Sequence, residues 1–454
     1  MVSEKEIETS EVMKKLAAYI AGASKMKLPE DAIEHGKYHL IDTVASVISG
    51  TRLTPGEMTI KYIKTLGGTK EALLLGTNYV TTAVNAALGN AMIAHADETD
   101  DSHKESRSHI GCGAVPAALA MAEREGRSGR EFLNAVVLGY DIGARTNFSI
   151  GVHSMYDAGH STHTFAPTFG AAASAMSLAG LNADQVRWGI SYTAQQVGGI
   201  NCWQRDRDHV EKGFDFGGMG ARNGVTAATM VQAGFTGVDD VFVGPRNFYS
   251  TYSTEPRPEQ MIDGLGKRFE VIQTNIKKWT VGSPIQAPLD CIEELQKKHD
   301  LSEGNIKHIK LRLSDMESPV VDDRHMADIC IQHMVSLMIL DGTATFASAH
   351  DEERMTEPAI VEFRKRIELV GEPDIPRRNA IVEVTLGNGE VVSHTQVAVR
   401  GTPDNPMNRQ EVDDKAYDLM APIVSKDNAR TLIDKVWDIE KVENVRDLRP
   451  LMIA

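Results

Sequence analysis

The spacing of apolar residues changes once along the chain, near residue 267, and this change separates two kinds of structure. Before it, apolar residues recur at helix spacing, as Ile33, Leu40 and Val44 do after the favourable helix start at residues 29–31. Beyond it, residues 306–313 alternate apolar and polar side chains, as half-buried strands do. The sequence therefore predicts a mainly α protein: a large all-helical domain with a smaller α+β second domain.

Further patterns define the limits of the two domains. Residues 269–272 also alternate and predict a strand, residues 286–299 predict a helix, and residues 381–392 predict a hairpin around Gly387-Asn388-Gly389. Helical spacing returns at 416–420 and 429–436, which places the C-terminal end in the helical domain. The predicted helical domain covers residues 1–266 and 402–454, and the α+β domain covers 267–401.

Small residues are frequent in the helical half. Residues 170–173 read Gly-Ala-Ala-Ala, and Ala221, Gly224, Ala227 and Ala228 follow further along. Small side chains allow helix axes to approach closely. At 454 residues the chain also exceeds what one hydrophobic core usually serves, which supports the two-domain prediction.

Composition limits the partners and chemistry of the protein. A net charge of −15 argues against nucleic acid or an anionic membrane as a partner. The first residues resemble neither a signal peptide nor a transit peptide, and no apolar run could span a bilayer, so a cytoplasmic protein is expected. The 4 cysteines are scattered, and the common metal and nucleotide motifs are missing. Reduced cysteines, no metal and no cofactor are predicted, with catalysis by side chains.

Residues 95–109 are the first candidate for an active site. They read His-Ala-Asp-Glu-Thr-Asp-Asp-Ser-His-Lys-Glu-Ser-Arg-Ser-His and lie between two small-residue helices. Burial of such a run shifts pKa values, because the carboxylates repel one another. His109 precedes a predicted helix start, where backbone N–H groups attract an anion such as a substrate carboxylate. The alternative is a solvated loop whose acids cap helices.

Three other stretches carry candidate groups. His160 and His163 lie among hydroxyls before a helix and could bind an oxyanion or transfer a proton, or could merely cap that helix. Lys212 lies among glycines that permit close approach of a ligand, and Lys277 begins a Lys pair. Ordinary surface lysines are the alternative for both. Metal binding by the two histidines is the weaker hypothesis, because a third ligand at a diagnostic spacing is missing.

In this order the four stretches resemble the MmgE/PrpD family, whose members include dehydratases of 2-methylcitrate, decarboxylases of cis-aconitate and epimerases of iminodisuccinate. The likeness covers nearly the whole chain and is carried by residues 37–43, 84–102, 169–172, 221–224, 232–237 and 401–406. It implies a helical domain built from both chain ends, an inserted α+β lid, an active site between the domains, a homodimer and no required metal.

The resemblance also implies roles for single residues. The catalytic acid of the family falls on Glu98, with Asp101, Ser102 and His109 beside it. The next histidine of the family falls on His160, although an extra residue here makes His163 a rival. The two lysines of the family fall on Lys212 and Lys277. Residues implied to bind substrate are Ser102, His103, His209, Arg222 and Gln286.

The chain departs from the family at three positions. Phe216 stands where the dehydratases and decarboxylases usually have a histidine, and Ser283 and Gln286 stand where they have an arginine and a histidine. Cations offset the desolvation of substrate carboxylates. The substrate is therefore expected to carry fewer carboxylates than methylcitrate does.

The mechanism expected from the resemblance is removal of a proton or CO₂ next to a carboxylate. His109 or His160 would act as base, Lys212 and Lys277 would hold carboxylates, and Glu98 or Asp101 would orient a histidine or protonate a leaving hydroxyl. Elimination of water from a small hydroxy-polycarboxylate is the favoured reaction. The alternatives are epimerisation of a dicarboxylate, decarboxylation, a metal-dependent lyase and a polycarboxylate-binding scaffold without catalysis.

Overall fold

The computed structural model describes residues 7–454, which form two compact units. Unit 1 contains the chain up to Ala96, Asp100–Thr274 and Val412–Ala454, whereas unit 2 contains Asp97–Thr99 and Asn275–Glu411. The acidic run is thus divided, because three of its residues belong to unit 2. The fold is mainly α with a smaller α+β region, which confirms the predicted fold class.

Unit 1 is built from helices that pack through small residues. A Cβ added at Gly170 would lie 2.5 Å from the carbonyl oxygen of Gly139, and one at Gly224 would lie 2.5 Å from the backbone nitrogen of Ala172. The predicted close approach of helices is confirmed at both positions. The helices of unit 1 before residue 270 are α1 (Glu11–Gly22), α2 (Glu30–Gly50), α3 (Thr54–Leu66), α4 (Ala83–Ala94), α5 (Gly111–Glu125), α6 (Gly129–Ile150), α7 (Val152–Asp157), α8 (Thr162–Leu178), α9 (Ala183–Gln196), α10 (Val210–Gly213), α11 (Met219–Gln232) and α12 (Phe248–Tyr252).

The start of α2 shows why these segments are helical. Pro29 takes the N-cap position with extended backbone, and Glu30 and Asp31 occupy the first turn, where acids are favoured by the helix dipole. From Tyr38 to Gly50 the helix is buried throughout. Two short strands, β1 (Ala72–Leu73) and β2 (Val80–Thr81), pair before α4 begins.

Unit 2 is an α+β structure around a four-stranded sheet. Its strands are β3 (Ile306–Ser314), β4 (Ile367–Glu372), β5 (Ala380–Leu386) and β6 (Val391–Gln396), in the order β4-β3-β5-β6. β3 is parallel to β4 and antiparallel to β5, and β5 forms the predicted hairpin with β6. The helices are α13 (Ser283–Gln296), α14 (Ser318–Val321), α15 (Ile331–Leu340), α16 (Phe346–Ala349) and α17 (Pro358–Arg364).

The strand predicted at residues 269–272 is wrong. The structure has a 3-10 turn there, Glu270–Gln273, in unit 1. Alternation over four residues is a weak signal, and here Glu270 is buried like its apolar neighbours because it pairs with Arg268 and lies 3.4 Å from the His103 ring. An ion pair, rather than a sheet edge, accounts for that position.

The C-terminal part of the chain is helical as predicted. Most of α18 (Arg409–Val424) lies in unit 1, which resumes at Val412. The next helix, α19 (Lys426–Trp437), lies entirely in unit 1. Lys415 of α18 forms a 2.6 Å buried ion pair with Asp42 of α2. Cys112, Cys202, Cys291 and Cys330 are free thiols in the structure. Among residues 7–454, no helix combines the length and apolar character needed to cross a membrane.

Candidate active site

A cluster of four imidazoles lies in unit 1 beside the segment that connects α4 to α5. The ring centroids of His95 and His209 are 5.0 Å apart, those of His95 and His109 are 4.9 Å apart, and those of His109 and His163 are 5.5 Å apart. We call these four residues the imidazole cluster. His95 comes from the end of α4, His109 precedes α5, His163 lies in the first turn of α8, and His209 precedes α10.

Asp100 organises the imidazole cluster. Its Oδ1 lies 2.9 Å from Nδ1 of His95 and 3.0 Å from Nδ1 of His109. Burial opposes ionisation of Asp100, but the two imidazoles hold its pKa well below the usual range. A carboxylate that accepts from both Nδ1 atoms fixes each ring as the tautomer with an unprotonated Nε2. Asp100 thus prepares two imidazoles as proton acceptors.

The two rings on Asp100 differ in access. The His109 side chain is 11% exposed, whereas that of His95 is fully buried. Burial lowers the pKa of His95 against the opposing charge and hydrogen bond of Asp100, and the charges of His109 and Lys212 add smaller lowering contributions. His95 is therefore a neutral ring inside the protein, and His109 is the ring of this pair that a small molecule can reach.

Phe216 fills the centre of the imidazole cluster. Its ring stacks on His95 at 4.3 Å and on His163 at 3.8 Å between centroids, with interplanar angles of 14° and 7°. A π-helical turn, Phe214–Gly218, carries it between α10 and α11. Such turns often occur at functional sites because they displace a side chain from helical register. The position where the family usually has a histidine is thus an apolar spacer between two imidazoles.

Lys212 supplies a cation next to these rings. Its Nζ lies 5.1 Å from the centroid of the Phe216 ring and 5.6 Å from that of Trp203. Both distances suit a cation–π contact. The structure therefore places the predicted cation Lys212 beside the predicted histidines His109, His163 and His209.

Asp101 lies in a different network from Asp100. It accepts from Nδ1 of His39 at 2.7 Å, from the hydroxyl of Tyr140, and from the backbone N–H of Gly111 at 3.2 Å. The predicted helix N-terminus after His109 exists, and the carboxylate of Asp101 accepts from the first N–H of that helix. Asp101 does orient a histidine, and that histidine is His39.

Residues 97–101 are buried. None of the four acids in this segment exceeds 8% exposure, which excludes the solvated-loop alternative. In unit 2, Nζ of Lys277 lies 3.1 Å from Oε2 of Glu98 and donates to the carbonyl oxygen of Glu98 at 2.7 Å. The structure thus joins two of the residues predicted from separate stretches, Glu98 and Lys277, in one buried ion pair.

Other predicted residues have local partners. Gln286 accepts from Trp279 N–H and donates to the carbonyls of Trp279 and Val281, so it fixes backbone at the start of unit 2. His103 accepts from Ser106 N–H through Nδ1 within the loop, where Ser102 is half-buried.

His160 and Arg222 lie with aromatic neighbours outside the cluster. The ring of His160 packs at 5.8 Å on that of Tyr252, so the rival position His163 is the one that joins the imidazole cluster. Arg222 lies over the ring of Phe214 at 5.6 Å and donates to Asn223. Sequence spacing alone gave no reason to prefer His163.

Asp100 and His95 were not among the predicted site residues. Both lie in the stretch 95–109, but the family resemblance points to Glu98 and Asp101 instead. A signal was present, since Asp100 stands five residues after one histidine and nine before another. Only the fold shows that the chain turns back and brings both imidazoles to one carboxylate.

Three side chains of unit 1 could together hold one metal ion. His95, Asp100 and His109 offer ligand atoms within 4.8 Å of one another, all buried. Two imidazoles and one carboxylate suit zinc or non-haem iron. Without an ion, the imidazoles of His95 and His109 bond to Asp100. The arrangement therefore fits either use, and chelators test it.

Asp215, next to Phe216, gives a prediction on stability. Burial raises its pKa to about 6, although the Ser161 hydroxyl, which donates to its carboxylate, opposes the shift. Folded protein therefore binds more protons than unfolded protein between about pH 4 and pH 6, and stability falls as pH rises through that window. We expect Asp215→Asn to remove this loss, which amounts to about 2–3 kcal/mol above pH 6.

Urea unfolding at pH 4.5 and pH 7 measures the effect. Asp157→Asn is the control, because Asp157 is exposed in α7 of the same unit. The free energy of unfolding of Asp215→Asn, relative to that of wild type, should be higher at pH 7 than at pH 4.5. Equal differences at both pH values would contradict the raised pKa.

Two family models cover most of the chain. The model described as the MmgE/PrpD N-terminal domain matches residues 14–261, and the model described as the MmgE/PrpD C-terminal domain matches residues 279–439. The first match contains the whole imidazole cluster, and the second begins two residues after Lys277.

Curated relatives match at low identity but over nearly their full lengths. A cis-aconitate decarboxylase-like protein of Aspergillus oryzae is 23% identical over 97% of each chain. The cis-aconitate decarboxylase of Homo sapiens is 22% identical over 97% of this chain and 94% of the relative. That of Aspergillus terreus is 20% identical over 94% of this chain and 92% of the relative.

Proposed function

The chain belongs to the MmgE/PrpD family, and we propose that it is a lyase that releases CO₂ from a small unsaturated polycarboxylate. The observation that carries this proposal is the pair of Asp100 and His109, which holds a partly accessible imidazole in a fixed orientation among buried groups. The names of the full-length relatives support decarboxylation over the water elimination favoured from sequence.

The proposed reaction needs one proton and one stabilised negative charge. The bond between carbon and the leaving carboxylate breaks, CO₂ departs, and its electron pair remains on the substrate next to another carboxylate. His109, protonated at Nε2 for this step, delivers its proton to carbon and becomes neutral, while Nδ1 stays on Asp100. Water then restores the proton.

Lys212 is proposed to hold the substrate carboxylate next to the developing charge. Its ammonium group lies beside the aromatic rings of Phe216, which is 2% exposed, and Trp203. Charge stabilisation is stronger in such surroundings than in bulk solvent.

Water elimination is the second candidate, and one observation favours it. Asp100 holds two imidazoles rather than one, and elimination of water uses a base at carbon as well as an acid at the departing hydroxyl. His109 would be the base, and His95 would be the acid only after it took up a second proton at Nε2. Complete burial of His95 lowers its pKa and so disfavours that imidazolium, which ranks this candidate below decarboxylation.

One assay in D₂O separates these reactions. Purified protein is incubated with cis-aconitate, 2-methylcitrate or citrate, while CO₂ release, alkene absorbance and product mass are followed. CO₂ with one deuterium in the product supports decarboxylation, and a new alkene without CO₂ supports water elimination. Deuterium uptake with neither change would replace the lyase with an epimerase.

Two further arms test the remaining alternatives. Activity should survive exhaustive dialysis against EDTA and dipicolinate, and loss restored by a metal ion would assign His95, Asp100 and His109 as ligands instead. A rise in melting temperature with these acids but no turnover would support the scaffold alternative.

The homodimer expected from the family resemblance stays a prediction, which light scattering can check.

A further inference from the structure

His350 of unit 2 contacts the short segment Asp97–Thr99, although it lies outside every stretch selected from the sequence. It follows α16, and its side chain is 12% exposed. Its Nδ1 lies 2.8 Å from the carbonyl oxygen of Phe346. A carbonyl oxygen can only accept a hydrogen bond, so Nδ1 carries a proton. The other ring nitrogen, Nε2, faces Asp97 and Asp328.

Nε2 of His350 faces two buried carboxylates. It lies 2.8 Å from Oδ2 of Asp97 and 3.8 Å from Oδ2 of Asp328, and the side chains of these acids are 4% and 2% exposed. Two carboxylates so close together are costly to bury unless a cation lies between them. A protonated Nε2 meets that need.

The titration of His350 agrees with this geometry. Burial disfavours the imidazolium, but the contact with Asp97 and the charges of Asp97 and Asp328 outweigh it and raise the pKa of His350 to about 9. His350 likewise lowers the pKa of Asp97, which burial alone would raise. The groups that face the ring are these two carboxylates, the Phe346 carbonyl and the Phe346 ring, at 4.3 Å between centroids.

The segment held by His350 carries Glu98. Asp97 also accepts from the backbone N–H and the hydroxyl of Thr99, which closes a tight turn around Glu98. On the other side of that turn, Lys277 binds both the carbonyl and the carboxylate of Glu98. Two cations of unit 2 thus secure three consecutive residues.

We propose that His350 is a positioning residue that acts through Asp97: as an imidazolium it holds the turn in which Glu98 meets Lys277. The proposal rests on the proposed function and on the roles that the family resemblance implies for Glu98, a catalytic acid, and Lys277, a holder of a substrate carboxylate. His350 itself touches no reacting atom. Loss of its proton leaves two facing carboxylates, which repel each other and loosen the turn.

Two substitutions separate charge from shape. His350→Gln keeps a donor but removes the charge, and His350→Lys keeps the charge with a higher pKa. We expect His350→Gln to lower kcat roughly 10–100-fold with little change in KM, as found for residues that orient others. His350→Lys should recover part of kcat and move the alkaline limb of the pH profile above that of wild type, near pH 9.

His325→Gln is the matched control, because His325 is an exposed histidine of the same unit. A merely structural role would lower the melting temperature of both His350 variants and leave the shape of their pH profiles as in wild type. That result, or wild-type kcat in His350→Gln, would overturn the proposal.

An NMR titration of the His350 ring in the full-length chain separates failure of this inference from failure of the proposed function. The ring should titrate near pH 9 in wild type and at least one unit lower in Asp97→Asn, whether or not any acid is turned over. A midpoint near the ordinary value of about 6.5 overturns the imidazolium and the inference with it. Absence of turnover by wild type, by contrast, counts against the proposed lyase.

Discussion

Replacement of His109 by alanine is expected to lower kcat by about 10²–10⁴-fold, the range typical of a lost general acid or base. The reason is geometric. His109 is the partly accessible imidazole whose Nδ1 is held at 3.0 Å by Asp100, so its Nε2 is the atom offered to a substrate. Steady-state kinetics on the acid identified in the D₂O assay measures the loss.

The control for this variant is His153→Ala, an exposed histidine of α7 in the same unit. It should keep wild-type kcat. Circular dichroism and melting temperature should show that His109→Ala remains folded, because the side chain lies at the edge of the imidazole cluster. Full activity in His109→Ala would remove His109 as the proton-transferring group.

The second large loss of kcat is expected for Asp100→Asn. Both Nδ1 atoms contact one oxygen, Oδ1, at 2.9 and 3.0 Å; the neutral amide removes the charge that stabilises an imidazolium there, and its NH₂ in that place would favour the wrong tautomer of both rings. Loss of tautomer control by a buried carboxylate costs about 10⁴-fold in a serine protease triad. We expect a fall in kcat of about 10³–10⁴-fold with KM nearly unchanged.

Asp101→Asn is the matched comparison, because it makes the same chemical change one residue away. Asp101 accepts from His39, Tyr140 and the N-terminus of α5, so its substitution should lower the melting temperature more than it lowers kcat. Equal losses of kcat in both variants would show that loop integrity, rather than the tautomer of His109, limits activity.

The fold was largely predictable because its signals are local. Helical spacing, the acids in the first turn of α2 and the glycine turn between β5 and β6 each act within a few residues. The failure at residues 269–272 has the same origin. Four alternating residues resemble a strand, and the ion pair that buries Glu270 depends on Arg268 and on His103, which is distant in sequence.

The site was predictable in its motifs but not in its geometry. Composition and resemblance predicted the residues from 95 to 109 and, beyond them, His163, His209, Lys212 and Lys277. The structure brings most of these residues together in unit 1 or pairs them in unit 2. The separate partners of Asp100 and Asp101 were beyond sequence reasoning, since adjacent carboxylates look alike until the fold gives each its donors. His350 lies 253 residues from Asp97, too far for any local pattern.

The division of the acidic run between two units restricts how these proteins can exchange parts during evolution. Recombination that moved residues 275–411 of this chain into a protein without carboxylates at positions 97 and 98 would import Lys277 and His350 without the groups that neutralise them. Cations stranded in a dry interior destabilise the hybrid. Viable chimaeras should therefore require both pieces from the same parent.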